Sequence, residues 1–317
     1  MMHKTAVLVP IFNGIAYTKE CLKTLESQIN DPKLKNEYVV VVTDDGSTDG
    51  SGAYISEHFP KVQLLKGDGN LWWSGGINVG ARHAIEELAC DYVLLWNNDV
   101  LSGDDYFKEL DKIIETEKPG SVIGSKVYYT DRPDRVQAYG GYFSPVTGVK
   151  YSHGYDKEDL EEYNQVKHVD WLPGMGTLVH ADVVTQLNYW DAEKFPQYHG
   201  DSDFTYKAKK AGFEVKVLPQ LKLWFCTENT GLNYPDNFRL MFKASSSIRR
   251  RAVFSAPSIC CLTSLACFPA LARSSGGNLE IPRKKPVTRP FLPRYRIERS
   301  RRASGSEAAS TSRMASL

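Results

Sequence analysis

Four polar clusters in this chain combine residue types and spacings that chemistry can use. The stretch Asp91-Tyr-Val-Leu-Leu-Trp-Asn-Asn-Asp99 runs through an apolar segment and stops at Asn97, Asn98 and Asp99. Such an oxygen-rich cluster suits a hard divalent cation and the phosphates it would bridge; the same residues also suit an Asx turn. Asp44-Asp45-Gly46-Ser47 closes a second apolar run. Carboxylates there can accept hydrogen bonds from ribose hydroxyls or a base N–H, or can serve a turn or a helix cap. Asn70-Leu-Trp-Trp-Ser-Gly-Gly-Ile-Asn-Val-Gly80 carries three glycines that permit close backbone approach to a ligand. A helix starting near Gly76 would favour an anion. Trp72 and Trp73 could stack on a base or sugar face, or cover a sheet edge. Asp201 and Asp203 open a helix two residues apart and so do not share a face. One can point into a cleft as a general base for a hydroxyl while the other caps or pairs. His199, beside Tyr198, suits a structural role better than a ligand role.

The elements that position these clusters follow from hydrophobic periodicity. Thr5–Val9, Tyr38–Val42, Val62–Leu65 and Tyr92–Trp96 read as short buried strands. Helices are expected over Ala16–Gln28, after Ser47 or Thr48 as cap to Phe59, over Ile77–Leu88, and over Asp104–Glu117. Alternating strands and helices argue for a parallel sheet with right-handed crossovers. Ligands of such sheets bind at the carboxyl ends of the strands. Beyond residue 121 the pattern becomes mixed: Val122–Tyr129, a hairpin around Phe143–Gly148, His168–Leu172, Thr177–His180 and Glu214–Leu218 read as strands, and Asp203–Ala211 as a helix. The first strand ends at Pro10, where a dinucleotide-binding fold places its glycines, and the glycine loop is not a Walker motif.

Composition divides the chain. Residues 1–242 hold 24 Lys and Arg against 35 Asp and Glu, whereas residues 243–317 hold 15 against 3. The acidic part is long enough for a sizeable core and is expected to be one catalytic-type domain, with residues 1–120 forming the nucleotide side and 121–242 the acceptor side. The basic remainder reads as low-complexity, disordered or non-native sequence. Its uncharged stretch Ala252–Ala272, flanked by arginines, holds Pro257 and Pro269 and suits peripheral membrane contact better than a span. The six cysteines show no metal-ligand spacing, with Cys21 and Cys90 falling in predicted helices, and no signal peptide opens the chain. A reducing, cytoplasmic setting is expected, with the inner face of the membrane as the place where the basic tail could make contact. No nucleic-acid partner is expected.

In this order the stretches resemble the inverting glycosyltransferases of family 2, which have the GT-A fold: a Rossmann-like, mostly parallel sheet flanked by helices, with a mixed acceptor half. The matches are Val9-Pro10-Ile-Phe-Asn13, Val42–Asp49, Asn70 with Gly76, Asn78 and Gly80, Trp96-Asn-Asn-Asp99, Trp171-Leu-Pro-Gly-Met-Gly176 and Gly200-Asp201-Ser-Asp203. The Asn-Leu-Trp-Trp-Ser-Gly-Gly form looks like bacterial, rhamnosyltransferase-like enzymes of surface polysaccharide assembly. The resemblance implies a nucleoside-diphosphate sugar donor held by Pro10, Asn13, Asp44, Asp45, Asn70, Trp72, Trp73, Gly76, Asn78 and Asn97. It implies Mg²⁺ or Mn²⁺ on Asp99, at the last position of the D-x-D motif whose first position is Asn97. Asp201 would be the catalytic base, with Gly200 in place of the usual preceding glutamate. A glycan or lipid-linked acceptor would meet Trp171, Gly174, Met175 and Asp203. Two other classes compete: a sugar-phosphate nucleotidyltransferase, which would release pyrophosphate, and a non-catalytic nucleotide-sugar-binding module.

Overall fold

The computed structural model describes residues 2–144 and 146–226. The tail from residue 243, its arginine-flanked apolar stretch and the boundary near 242 lie outside the described residues.

Four parallel strands form one side of a large sheet: β1 (Lys4–Ile11), β2 (Glu37–Asp44), β3 (Gln63–Lys66) and β4 (Tyr92–Leu95), in spatial order β4-β1-β2-β3. The helices α1 (Ile15–Ile29), α2 (Ser51–His58) and α3 (Trp72–Arg82) connect them, and α3 runs on into a π-helical turn at His83–Glu87. Alternation along each strand sends side chains to two cores. Val7, Val9 and Ile11 of β1 join Cys21, Leu22 and Leu25 of α1, while Ala6 and Leu8 join Ile77 and Ala81 of α3. Burial on both faces is why these strands read as unbroken apolar runs.

The chain then passes through β5 (Val100–Ser102), α4 (Tyr106–Thr116), β6 (Val122–Tyr129) and β7 (Arg135–Ala138). A separate antiparallel hairpin of β8 (Gly141–Phe143) and β9 (Lys150–Ser152) follows, then β10 (Lys157–Glu158) and β11 (Lys167–His168). β12 (Thr177–His180) inserts antiparallel between β4 and β6, so the two expected halves share one continuous sheet. After α5 (Ala181–Gln186) and α6 (Gly200–Lys210), β13 (Val215–Phe225) pairs parallel with β6 and antiparallel with β5 and β11. The mixed α/β architecture is as expected, with helices on both faces of a central sheet.

Several local expectations need correction. Neither Ser47 nor Thr48 caps α2. That helix starts at Ser51, whose N–H and hydroxyl both bond the Asp49 carboxylate. Helix α3 begins five residues earlier than its glycines suggest, so Trp72–Gly76 are its first turns and not a loop. Helix α6 begins at Gly200, after a left-handed His199. Cys90 is buried between the π-helical turn and β4, outside any helix. Within His168–Leu172, pairing is limited to the end of β11 and a single bridge from Trp171 to Gly141.

Candidate active site

The loops after β1, β2, β3 and β4 meet at the carboxyl edge of the parallel strands, where register sets Ile11 beside Asp44 and Leu8 beside Leu95. Asn13 takes a left-handed conformation with φ +57° and ties two of these loops together. Its N–H donates to Ser47 Oγ (2.8 Å) and its Oδ1 accepts the Thr48 N–H (2.9 Å). Asp44 accepts the Ser47 N–H through Oδ1 (2.8 Å), while its Oδ2 lies where a Cβ on Gly52 would come within 2.8 Å. Asp45 is wholly engaged. Its Oδ1 accepts from Gly69 N–H (2.8 Å), and its Oδ2 from Leu71 and Trp72 N–H (2.9 and 3.0 Å). That carboxylate is the long-range cap that starts α3.

Trp72 and Trp73, adjacent in sequence, have different surroundings. Trp72 is 56% exposed at φ +57°, an uncommon backbone state for a bulky side chain, which the Asp45 hydrogen bond holds in place. Trp73 packs against the second core, and its Nε1–H donates to Asn97 Oδ1 at 2.9 Å. Gly76 brings α3 down on the end of β1, since a Cβ there would meet Pro10 Cβ at 2.8 Å. Asn78 spends its amide on the backbone of Trp190, donating to its carbonyl (2.8 Å) and accepting its N–H (2.9 Å). These last two residues were expected to hold donor; here one packs helix on strand and the other clamps α3 to the 190 segment. Asn70 is exposed, with its N–H on Asp68 Oδ1 (2.8 Å).

The Asn97–Asp99 turn follows β4. Asn98 Nδ2–H donates to Thr18 Oγ1 of α1 (3.0 Å), which fixes the turn. Asp99 Oδ1 is buried without a hydrogen-bond partner, and burial pushes the carboxyl up to about 6. Among the described residues no three His, Cys, Asp or Glu side chains gather as a ready-made metal cage. A cation here would rest on Asp99, the Asn97 amide and oxygens brought by its ligand, the usual pattern for Mg²⁺ with phosphates.

The opposite wall is built by the 171–176 segment and the start of α6. Asp201 Oδ2 accepts the Gly174 N–H (2.8 Å), and its Oδ1 accepts the Ser202 N–H (2.6 Å). Gly174 lies against Trp73: a Cβ there would fall 2.3 Å from the indole Cζ2. Gly200 fits because it has no side chain, as a Cβ would sit 2.1 Å from Ser74 Oγ. Lys150 of the hairpin lies over the Trp171 ring (3.8 Å to its centroid) and donates to Ser202 Oγ (2.9 Å). Burial and the nearby Lys150 ammonium hold His199 below the usual histidine range.

The fold and this edge are matched by a known sequence family. The model described as "Glycosyl transferase family 2" matches residues 6–177, more than half of the chain. The chain belongs to glycosyl transferase family 2. Glycosyltransferase GlyA of Streptococcus pneumoniae is 25% identical over 194 residues, 59% of this chain and 26% of that protein. The low-salt glycan biosynthesis hexosyltransferase Agl10 of Haloferax volcanii is 24% identical over 201 residues, 62% of this chain and 60% of that protein. The chain therefore spans only part of the length of both curated relatives. Among solved structures, GalNAc-T7 with UDP, GalNAc and Mn²⁺ superposes with a TM-score of 0.55 at 11% identity, covering 71% of this chain and 44% of that one. The mannosyltransferase PcManGT of Pyrobaculum calidifontis with GDP-Man and Mn²⁺ gives 0.52 at 15% identity, covering 73% and 59%. These two likenesses carry the GT-A-type fold.

Of the residues expected on the acceptor side in this family 2 chain, Gly174 lies on the wall beside Asp201 and Trp73. Met175 is buried in the first core, and Trp171 is 6% exposed beneath Lys150. Asp203 pairs with Lys207 one turn along α6 (2.6 Å) and is committed within the helix. Phe12, which sequence reasoning passed over, is 65% exposed beside Asn13 at the carboxyl edge of the parallel strands. A large apolar residue directly after a buried strand, next to the Asn13 latch, was the available signal.

Proposed function

We propose that this family 2 glycosyltransferase moves a sugar from a nucleoside-diphosphate sugar to a hydroxyl acceptor, with inversion and with a divalent cation, in the assembly of a surface glycan. The observation that carries the reading is the Asp201 carboxylate, fixed by the Gly174 N–H and facing the 171–176 wall, which Trp73 joins to the Asn97–Asp99 turn. On this reading Asp201 serves as the base and the Asn97–Asp99 turn as the diphosphate station, with Trp73 between them.

Asp44 and the exposed faces of Phe12 and Trp72 receive the nucleoside and sugar. Asp45 acts at one remove, by holding the 69–72 backbone that presents Trp72. Asp99 and Asn97 would hold Mg²⁺ or Mn²⁺, whose buried, unpartnered Asp99 Oδ1 is a fitting ligand. The cation would supply neutralisation of the diphosphate as charge builds on the leaving group. Asp201 takes the proton from the acceptor hydroxyl as its oxygen attacks the anomeric carbon. The bond from that carbon to the diphosphate oxygen breaks on the opposite side, and nucleoside diphosphate leaves. One displacement inverts the configuration, with no sugar–enzyme bond.

The neighbours with UDP and GDP-Man bound support a nucleotide-sugar donor, and Agl10 supports a hexosyl unit. No helix of the described residues is long and apolar enough to cross a membrane. The test is a screen of UDP-, dTDP- and GDP-sugars by thermal shift with and without Mn²⁺, because a bound donor raises apparent stability. Turnover of the binding donor should release nucleoside diphosphate and give a product of opposite anomeric configuration. Release of pyrophosphate would assign a nucleotidyltransferase instead.

A further inference from the structure

We propose that Trp73 is a positioning residue that sets the diphosphate station and the base relative to each other, an inference that rests on the donor reading above. One edge of its indole does both jobs. Nε1–H donates to Asn97 Oδ1 at 2.9 Å, and the adjoining Cζ2 lies where a Cβ on Gly174 would come within 2.3 Å. Gly174 in turn directs its N–H to Asp201 Oδ2 at 2.8 Å. Two residues beyond Asn97 stands Asp99.

The backbone around Trp73 is fastened to the same wall. Trp73 N–H donates to Gln197 Oε1 (3.2 Å), Ser74 N–H to the Pro196 carbonyl (2.8 Å) and Ser74 Oγ–H to the Phe195 carbonyl (2.6 Å). Helix α3, which carries the nucleotide edge, is thereby locked to the segment that leads into α6 and its Asp201. A phenyl ring has no N–H for Asn97 and also lacks the Cζ2 and Cη2 that lie against Gly174, so Trp73→Phe loosens both contacts of the brace. Without the indole bond, the Asn97 amide is free to rotate away from the diphosphate station.

The test is a double-mutant cycle on the full chain, with UDP and GDP as probes, each with Mn²⁺, and affinity read by titration calorimetry. Trp73→Phe should weaken binding roughly fivefold, the worth of one net hydrogen bond. In an Asn97→Ala background the same change should cost clearly less, only the share due to lost packing on Gly174, because the amide it positions is gone. A purely structural tryptophan would weaken binding equally in both backgrounds, and that result overturns the brace alone. A wild-type chain that binds none of UDP, GDP and dTDP removes the donor reading and the brace with it, and one that binds only dTDP is taken through the same cycle with that probe. If Trp73→Phe does not fold, the ¹⁵N-indole spectrum of the wild-type chain answers the same question. The Trp73 signal should shift when UDP and Mg²⁺ are added, and an unmoved signal counts against the proposal.

Discussion

The Asp45 carboxylate accepts the backbone N–H of Trp72 at 3.0 Å and holds that residue at φ +57°, with its ring 56% exposed. A carboxylate on the end of one strand thus fixes the strained first residue of a helix 27 positions further along. The same side chain takes two more N–H groups, so its loss orphans three donors at once. Asp45→Ala should destabilise the fold by about 3 kcal/mol, at about 1 kcal/mol for each lost bond, read by chemical denaturation. Donor binding should weaken with it, since Trp72 would relax from its presented position. An Asp45→Ala chain of unchanged stability would show that the loop holds itself.

Gly200 shows why the glutamate expected before the base has no place here. Any side chain would meet Ser74 Oγ, from 2.1 Å at the Cβ onward. Gly200→Ala should cost ~1–3 kcal/mol by overpacking, and adding Ser74→Ala should recover part of that loss. Thermal unfolding of the single and double variants decides it; an additive double variant would mean the two residues do not collide.

Asp99 makes the protein less stable in the absence of a cation. Its carboxyl is pushed from 3.8 up to about 6 by burial, so between those values the folded chain keeps a proton that the unfolded chain has released. Stability from this group is present below about pH 4, falls as pH rises towards 6, and stays lost above it. Asp99→Asn should remove that fall and stabilise the cation-free chain at pH 8 by ~2 kcal/mol, discounted for partial exposure, while losing Mn²⁺-dependent donor binding. The measurement is the unfolding midpoint against pH in EDTA for both chains. Parallel curves would contradict the assignment.

Sheet and site were legible in the sequence to different extents. Strands β1, β2 and β4 could be read because burial on both faces leaves an unbroken apolar run, whereas β6 was read from its Val, Ile and Tyr residues despite the buried Gly124-Ser-Lys126 at its centre. The start of α3 could not be read, because Ser74-Gly-Gly76 has poor helix propensity and the cap comes from Asp45, far back in the chain. Helix α6 likewise begins behind a left-handed His199, which no capping rule favours. Asp99 and Asp201 were visible as polar residues at element ends. The roles of Asn78, Met175 and Trp73 were not, since each depends on a partner distant in sequence: the Trp190 backbone, the first core and Asn97. Spacing alone cannot tell an amide that binds a ligand from one that clamps a loop.

The proposed transfer depends most directly on Asp201 as the base that takes the acceptor proton. Asp201→Asn preserves the shape of the side chain and an acceptor oxygen for the Gly174 N–H, at the cost of the bond from the Ser202 N–H. With the donor and acceptor found by screening, kcat should fall about 10²–10⁴-fold, while donor affinity stays near that of the parent chain and stability falls only by about 1 kcal/mol for the lost Ser202 bond. A folded Asp201→Asn chain that transfers sugar at the parent rate would contradict the account.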